Sequence, residues 1–156
     1  MKKNIRLYNI LFPIWMFWLL PTVIWLIILP ANFVFDSLVL GIAMKVRGVE
    51  DKFRVWKQSI LKIWLIGFAS DLVGAAGIFG LMMALNLALP HWDTFHFPGT
   101  SLISLPGVVL AGALIYFLNR KFSFTKCNLS DMQARRLSLA LAVFTAPYAM
   151  LIPLYG

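Results

Sequence analysis

Asp36 and Asp71 are the residues of this sequence whose type and setting point to chemistry. Each lies inside a long apolar stretch with no Lys or Arg at its depth. An isolated aspartate in the middle of a hydrocarbon layer costs about 2.5–3.5 kcal/mol on insertion scales. A group that expensive binds something, carries a proton, or bonds a neighbouring helix. The nearest basic residue on the same stretch as Asp71 is Lys62, which a helix would place about 13 Å away along its axis. Without a basic partner, each aspartate is neutral, or the two share a proton, or they hold a cation; two close carboxylates resist being ionised together. Ser37 and Ser70, each beside one aspartate, add hydroxyls to the same candidate ion- or substrate-binding site.

The element that must position Asp71 runs from Ser59 to Leu89. Residues three and four apart share one side of a helix. Gly67, Ser70, Gly74 and Gly77 follow that spacing. Helices in lipid associate where small side chains let backbones approach, so this face predicts contact with other helices, with Gly67, Gly74 and Gly77 as packing positions. Asp71 lies on the same side and is expected to point into a bundle. A purely structural role, as a protonated group hydrogen-bonded to a neighbouring helix, is the plainer alternative.

Composition sets the class. Of 156 residues, 61% are hydrophobic and 13% charged; a soluble domain carries about twice that charge. The expected fold is all-α: a polytopic membrane protein, one transmembrane domain over 1–156, with about five transmembrane helices. The net charge of +8 flanks the apolar stretches and forms no separate basic domain. Orientation and anionic lipid explain it, and nucleic acid is excluded as a partner. The single cysteine, Cys127, reads as a free reduced thiol with no metal pattern.

In chain order, Tyr8 to Leu29 is longer than a signal-peptide core and reads as the first span, kinked at Pro21. Pro30 reads as a break and Asn32 as the cap of a second, short span over 31–46, with a re-entrant segment as the alternative. Lys45 to Lys57 is basic and carries Val46, Val49, Phe53 and Trp56 at helical spacing, with Glu50 and Arg54 as an i,i+4 pair. This predicts a short amphipathic helix on the cytoplasmic surface. The third span is 59–89, ended by Pro90. In the loop that follows, His91, Asp93 and His96 match no strong metal motif. A fourth span is expected over 102–118. Ser130 and Gln133 have the spacing of a capping box ahead of a last span over 137–154, kinked by Pro147.

All Lys and Arg fall ahead of the first span, between or beside the second and third, or between the fourth and fifth. Positive residues stay in the cytoplasm. The expected topology is therefore integral to the cytoplasmic membrane, with the N-terminus inside and the C-terminus outside.

Intramembrane aspartyl proteases also pair aspartates on neighbouring helices, but they place Gly-x-Gly before one of them, and Phe68-Ala69-Ser70 precedes Asp71 here. The multi-aspartate clusters of lipid-head-group transferases are missing too. With no zinc-protease motif, serine elbow or phosphate loop, the chain offers no catalytic constellation and implies no cofactor.

Two functions remain. The first is a small transporter or channel for a proton, a cation or a cationic solute, working through Asp36 and Asp71. The second is an accessory membrane protein, such as a complex subunit or a protective or assembly factor, that binds a partner through its basic loops. The bilayer is a partner in both, and a homo-oligomer or a second membrane protein is compatible with either.

Overall fold

A computed structural model of the chain describes residues 25–88 and 98–152. They form α1 (Trp25–Val46), α2 (Lys52–Ala88), α3 (Gly99–Leu118) and α4 (Asp131–Phe144). A π turn over Asn119–Ser123 extends α3, and a 3-10 turn over Tyr148–Leu151 follows α4. No strand occurs among the described residues. α2 packs on α1 along one side and on α3 along the other, while α4 touches both α1 and α3 and closes the ring.

Three helices, counted as Leu26–Val46, Lys52–Ala88 and Gly99–Ser123, are long and apolar enough to cross a membrane. Their outward faces are apolar: Leu26, Val34, Leu38, Ile42, Leu65, Val109 and Phe117 are all exposed. An exposed surface of this kind is a liability in water and the expected one in hydrocarbon, which suggests membrane association.

Several sequence expectations change. α1 runs unbroken through Pro30 from Trp25, so Pro30 is not a boundary and Asn32 is an interior helix position, not a cap. Proline is tolerated there because it removes one intrahelical hydrogen bond, and neighbouring helices stabilise the rest. In the same region Trp64 Nε1 of α2 donates to the Leu29 carbonyl at 3.1 Å. Most of the predicted first span, the Pro21 kink, and His91, Asp93 and His96 lie outside the described residues.

α1 ends in a Schellman motif. Gly48 has φ +61°, its N–H donates to the Lys45 carbonyl at 3.4 Å, and the Val49 N–H donates to the Met44 carbonyl at 3.1 Å. Met44 and Val49 are both buried, which supplies the apolar contact that accompanies this cap. A Cβ on Gly48 would meet nothing within 4 Å, so Gly48→Ala tests backbone conformation alone. We expect it to destabilise the protein by about 1–2 kcal/mol, visible as a lower thermal midpoint in detergent; an unchanged midpoint would mean that the cap contributes nothing.

The amphipathic surface helix is absent as a separate element. Lys52 to Trp56 are the first turns of α2, which continues for 37 residues, about 55 Å. No Pro or Gly interrupts Lys52 to Ile66, and extending a helix costs far less than starting a new one. The predicted apolar stripe is divided accordingly. Val49 is buried in the connector, Trp56 packs against Phe33 of α1, and Phe53 stays 74% exposed. Glu50 falls before the first turn of α2, so helix geometry does not set it over Arg54.

The capping box at α4 is present. The Gln133 N–H donates to Ser130 Oγ at 3.2 Å, and the Ser130 N–H donates to Gln133 Oε1 at 3.1 Å. The continuous last span over 137–154 is not. α4 stops at Phe144 with Thr145 as its C-cap, and the chain passes Pro147 in a non-helical conformation before the 3-10 turn. Pro147 supplies no N–H and disfavours helical geometry at Ala146. The Val143 carbonyl, which would have bonded an N–H at position 147, accepts instead from Tyr148 Oη at 2.7 Å; the Leu141 carbonyl accepts the Thr145 N–H and, at 2.8 Å, Thr145 Oγ1 as well.

Two apolar clusters fill the ring. One, near the α1–α2 connector, includes Leu40, Met44, Val55, Ile63, Ile115, Leu137 and Leu141. The other, toward the far end, holds Ala75, Ile78, Ile103, Val108 and Met150. Where α2 crosses α3 the backbones nearly touch. A Cβ on Gly74 would lie 2.8 Å from the Gly107 carbonyl oxygen, and one on Gly107 would lie 2.7 Å from the Gly74 carbonyl oxygen.

Candidate functional site

The small-residue face of α2 serves two neighbours. Gly74 meets Gly107 and Ala111 of α3, and Gly77 lies beside Leu110 of α3. Gly67 faces α1 instead: a Cβ there would stand 3.7 Å from Asp36 Oδ2. That is ordinary contact distance, so the Asp36 carboxyl lies against α2 one turn from Asp71.

Asp36 and Asp71 open on one pocket of about 420 Å³. Asp36 is 12 residues into the 22 of α1, near the middle of that apolar helix. It is only 6% exposed, and among the described residues no donor reaches its carboxylate. Asp71 Oδ1 is buried and likewise without a hydrogen-bond partner. Such orphaned acceptors are uncommon in folded proteins and require an explanation. Among the described residues no Lys, Arg or His lines the pocket. Lys62 turns the other way, its Nζ donating to the Phe122 carbonyl at 3.3 Å.

Ser37 and Ser70 are not brought to the pocket. Ser37 Oγ donates to the Phe33 carbonyl at 2.8 Å and Ser70 Oγ to the Ile66 carbonyl at 2.7 Å. Both hydroxyls are thus spent on the preceding turn of their own helix, a common use of serine inside helices.

Other residues take their place. Asn32 lies one turn before Asp36 on α1, and Trp64 and Phe68 lie on the face of α2 that carries Gly67 and Asp71. These three were visible as helix-spacing neighbours of the aspartates. The fourth wall was not. It is the broken segment from Phe144 to Ala149, which includes Thr145, Pro147 and Tyr148. The carboxyl end of α4 therefore faces the pocket, and a helix carries partial negative charge at that end. Two carboxylates and a helix C-terminus give one sign of potential, negative, to a largely apolar hollow.

No three His, Cys, Asp or Glu side chains come together as a metal centre among the described residues. At the basic end, Asn119 and Ser123 are fully buried and joined by a 2.6 Å hydrogen bond from Ser123 Oγ to Asn119 Oδ1. Cys127 is free and buried beside them, and burial pushes its thiol pKa up.

Comparison with known protein families, curated proteins and solved structures gives no match to this chain. The fold alone defines the class: the described residues are all-helical, and three of their helices are long and apolar enough to cross a membrane.

Proposed function

We propose that this protein is a small membrane transporter or channel for a cation, with Asp36 and Asp71 as the site its cargo occupies. A proton, a metal cation and a cationic solute all belong to that class. One observation carries the reading. Two carboxylates from adjacent helices, one with an oxygen lacking any hydrogen-bond partner, and the end of a broken third helix converge on one pocket that no basic residue lines among the described residues. Membrane transporters build midplane sites from discontinuous helices, and helix C-termini there favour cations. The test is flux by the purified protein alone in liposomes, with the aspartate variants argued in the Discussion as controls. Stable co-purification with a second membrane protein, and no flux without it, would favour the accessory-subunit reading instead.

The proposed setting is about five crossings of the cytoplasmic membrane with the basic end inside. α1, α2 and α3 supply three. Residues ahead of Trp25 supply the first, and α4 with its 3-10 turn supplies a last, broken passage. Both basic connectors meet at one end of the molecule: Gly48 to Arg54 and Cys127 to Leu129 line a common cleft. In a Cys127→Ser background, single cysteines at Arg47 and Lys126 are expected to react with a membrane-impermeant maleimide from the same side, and one at Thr94 from the opposite side. Labelling of Thr94 and Lys126 from one side would rule out this topology.

A further inference from the structure

Resting on the cation reading, we propose that the Asp36–Asp71 pocket binds an organic monocation with an apolar body, such as an aryl- or alkyl-substituted ammonium or phosphonium. Size is the first reason. The pocket is about 420 Å³, within the roughly 300–1,000 Å³ of drug-sized sites and far larger than a bare ion requires.

The supply of oxygen is the second reason. Ca²⁺ takes about six to eight oxygen ligands, and Mg²⁺ a near-ideal octahedron. Among the described residues, the side chains beyond the two carboxylates that could offer oxygen to this pocket are those of Asn32, Thr145 and Tyr148. The hydroxyls of Thr145 and Tyr148 are oriented by donation to the carbonyls of Leu141 and Val143, and keep only their lone pairs to offer. Among the described residues the other side chains of the lining are apolar apart from the Trp64 N–H, and the remaining oxygens are backbone carbonyls at the broken end of α4. A metal ion would lose its water shell without an adequate replacement, whereas an ion whose charge is wrapped in hydrocarbon has no tight shell to lose.

The walls are the third reason. Trp64 and Phe68 lie half-buried, and Phe35, Phe144 and Tyr148 stand more exposed around them. Aromatic faces attract cations through their ring quadrupoles, tryptophan most strongly. The Trp64 indole is held in place by its 3.1 Å bond to the Leu29 carbonyl and by edge-on contact with Phe33 at 6.3 Å. Charge is localised at Asp36 and Asp71, and the aromatic surface is spread around it. That division matches a ligand with one buried charge and a wide apolar periphery. It also gives the unsatisfied Asp71 Oδ1 a counter-charge inside the pocket.

The test uses the full-length protein in lipid nanodiscs and tetraphenylphosphonium as probe, with tetraphenylborate as a matched ion of opposite charge. We expect saturable phosphonium binding that unlabelled phosphonium displaces, and no saturable binding of the borate. Asp36→Asn with Asp71→Asn should weaken phosphonium binding by about tenfold or more, and Trp64→Phe by a smaller factor. Equal binding of the two ions by the wild-type protein would overturn the proposal without recourse to any variant. So would the absence of saturable phosphonium binding. If phosphonium fails while proton or sodium flux in liposomes still depends on Asp71, this inference falls and the cation reading stands. If neither phosphonium nor the small ions are bound or moved, both fall.

Discussion

Gly107→Ala adds one methyl group and is expected to destabilise the protein by about 1–3 kcal/mol, the usual cost of overpacking a tight contact. The new Cβ would collide with Ile78 Cγ1 and stand 2.7 Å from the Gly74 carbonyl oxygen. Ile78 is only 1% exposed and packs with Ile103, Val108 and Met150, so it has no free space to retreat into. The backbone oxygen cannot move without separating α2 from α3. Gly74→Leu should do more damage, because its Cβ would lie 2.8 Å from the Gly107 oxygen and 3.0 Å from Ala111 Cβ even before the rest of the side chain is built. Loss of folded yield is the expected outcome there. Gly41→Ala and Gly80→Ala are the controls. Neither Cβ would meet anything within 4 Å, and alanine is favoured over glycine in a helix by about 1 kcal/mol. Thermal midpoints in detergent should therefore fall for Gly107→Ala and hold or rise for the controls. Equal midpoints for all three would mean that the α2–α3 crossing is not the close contact described.

Asp71→Asn is expected to leave the protein folded and inserted while abolishing cation flux in liposomes. The substitution keeps the shape of the side chain and removes its charge. Because Asp71 Oδ1 has no hydrogen-bond partner, no donor is stranded by the change. A neutral amide is also cheaper than a carboxylate at mid-membrane, where an aspartate costs about 2.5–3.5 kcal/mol. Stability should accordingly match or exceed that of the wild type. Asp36→Asn is expected to act in the same direction but less strongly, because one carboxylate and the α4 terminus would still supply negative potential to the pocket. The structural alternative makes the opposite forecast. If Asp71→Asn transports like the wild type and Asp71→Leu merely lowers the thermal midpoint, Asp71 is a packing and hydrogen-bonding group. The transport reading then loses its main support.

Much of the candidate site was legible before any coordinates. Asp36 and Asp71 stand out because burial of a carboxylate in an apolar stretch is costly whatever the fold. Asn32, Trp64 and Phe68 follow from helix spacing once those two are chosen. Ser37 and Ser70 were plausible by adjacency and wrong in direction: neighbours in sequence point about 100° apart on a helix, and each hydroxyl had a carbonyl of its own helix within reach.

The sequence by itself determined the class, the ends signalled by local chemistry, and the one face of α2 able to pack closely. Hydropathy, the Ser130–Gln133 box and the spacing of Gly67, Gly74 and Gly77 are properties of short windows, and short windows are what a sequence displays directly. Only the tertiary structure decided how that face is shared, with Gly67 turned to α1 and Gly74 and Gly77 to α3. It also decided the fate of the two prolines. Pro30 is carried inside α1, where Trp64 of α2 bonds the adjacent turn. Pro147 breaks the chain after α4, where Tyr148 closes the freed Val143 carbonyl. A proline weakens a helix by a similar amount at either place; whether the helix survives depends on what packs against it. The pocket exists for the same reason. Its walls come from α1, α2 and the broken end of α4, and their meeting is set by packing between residues more than a hundred positions apart in the chain.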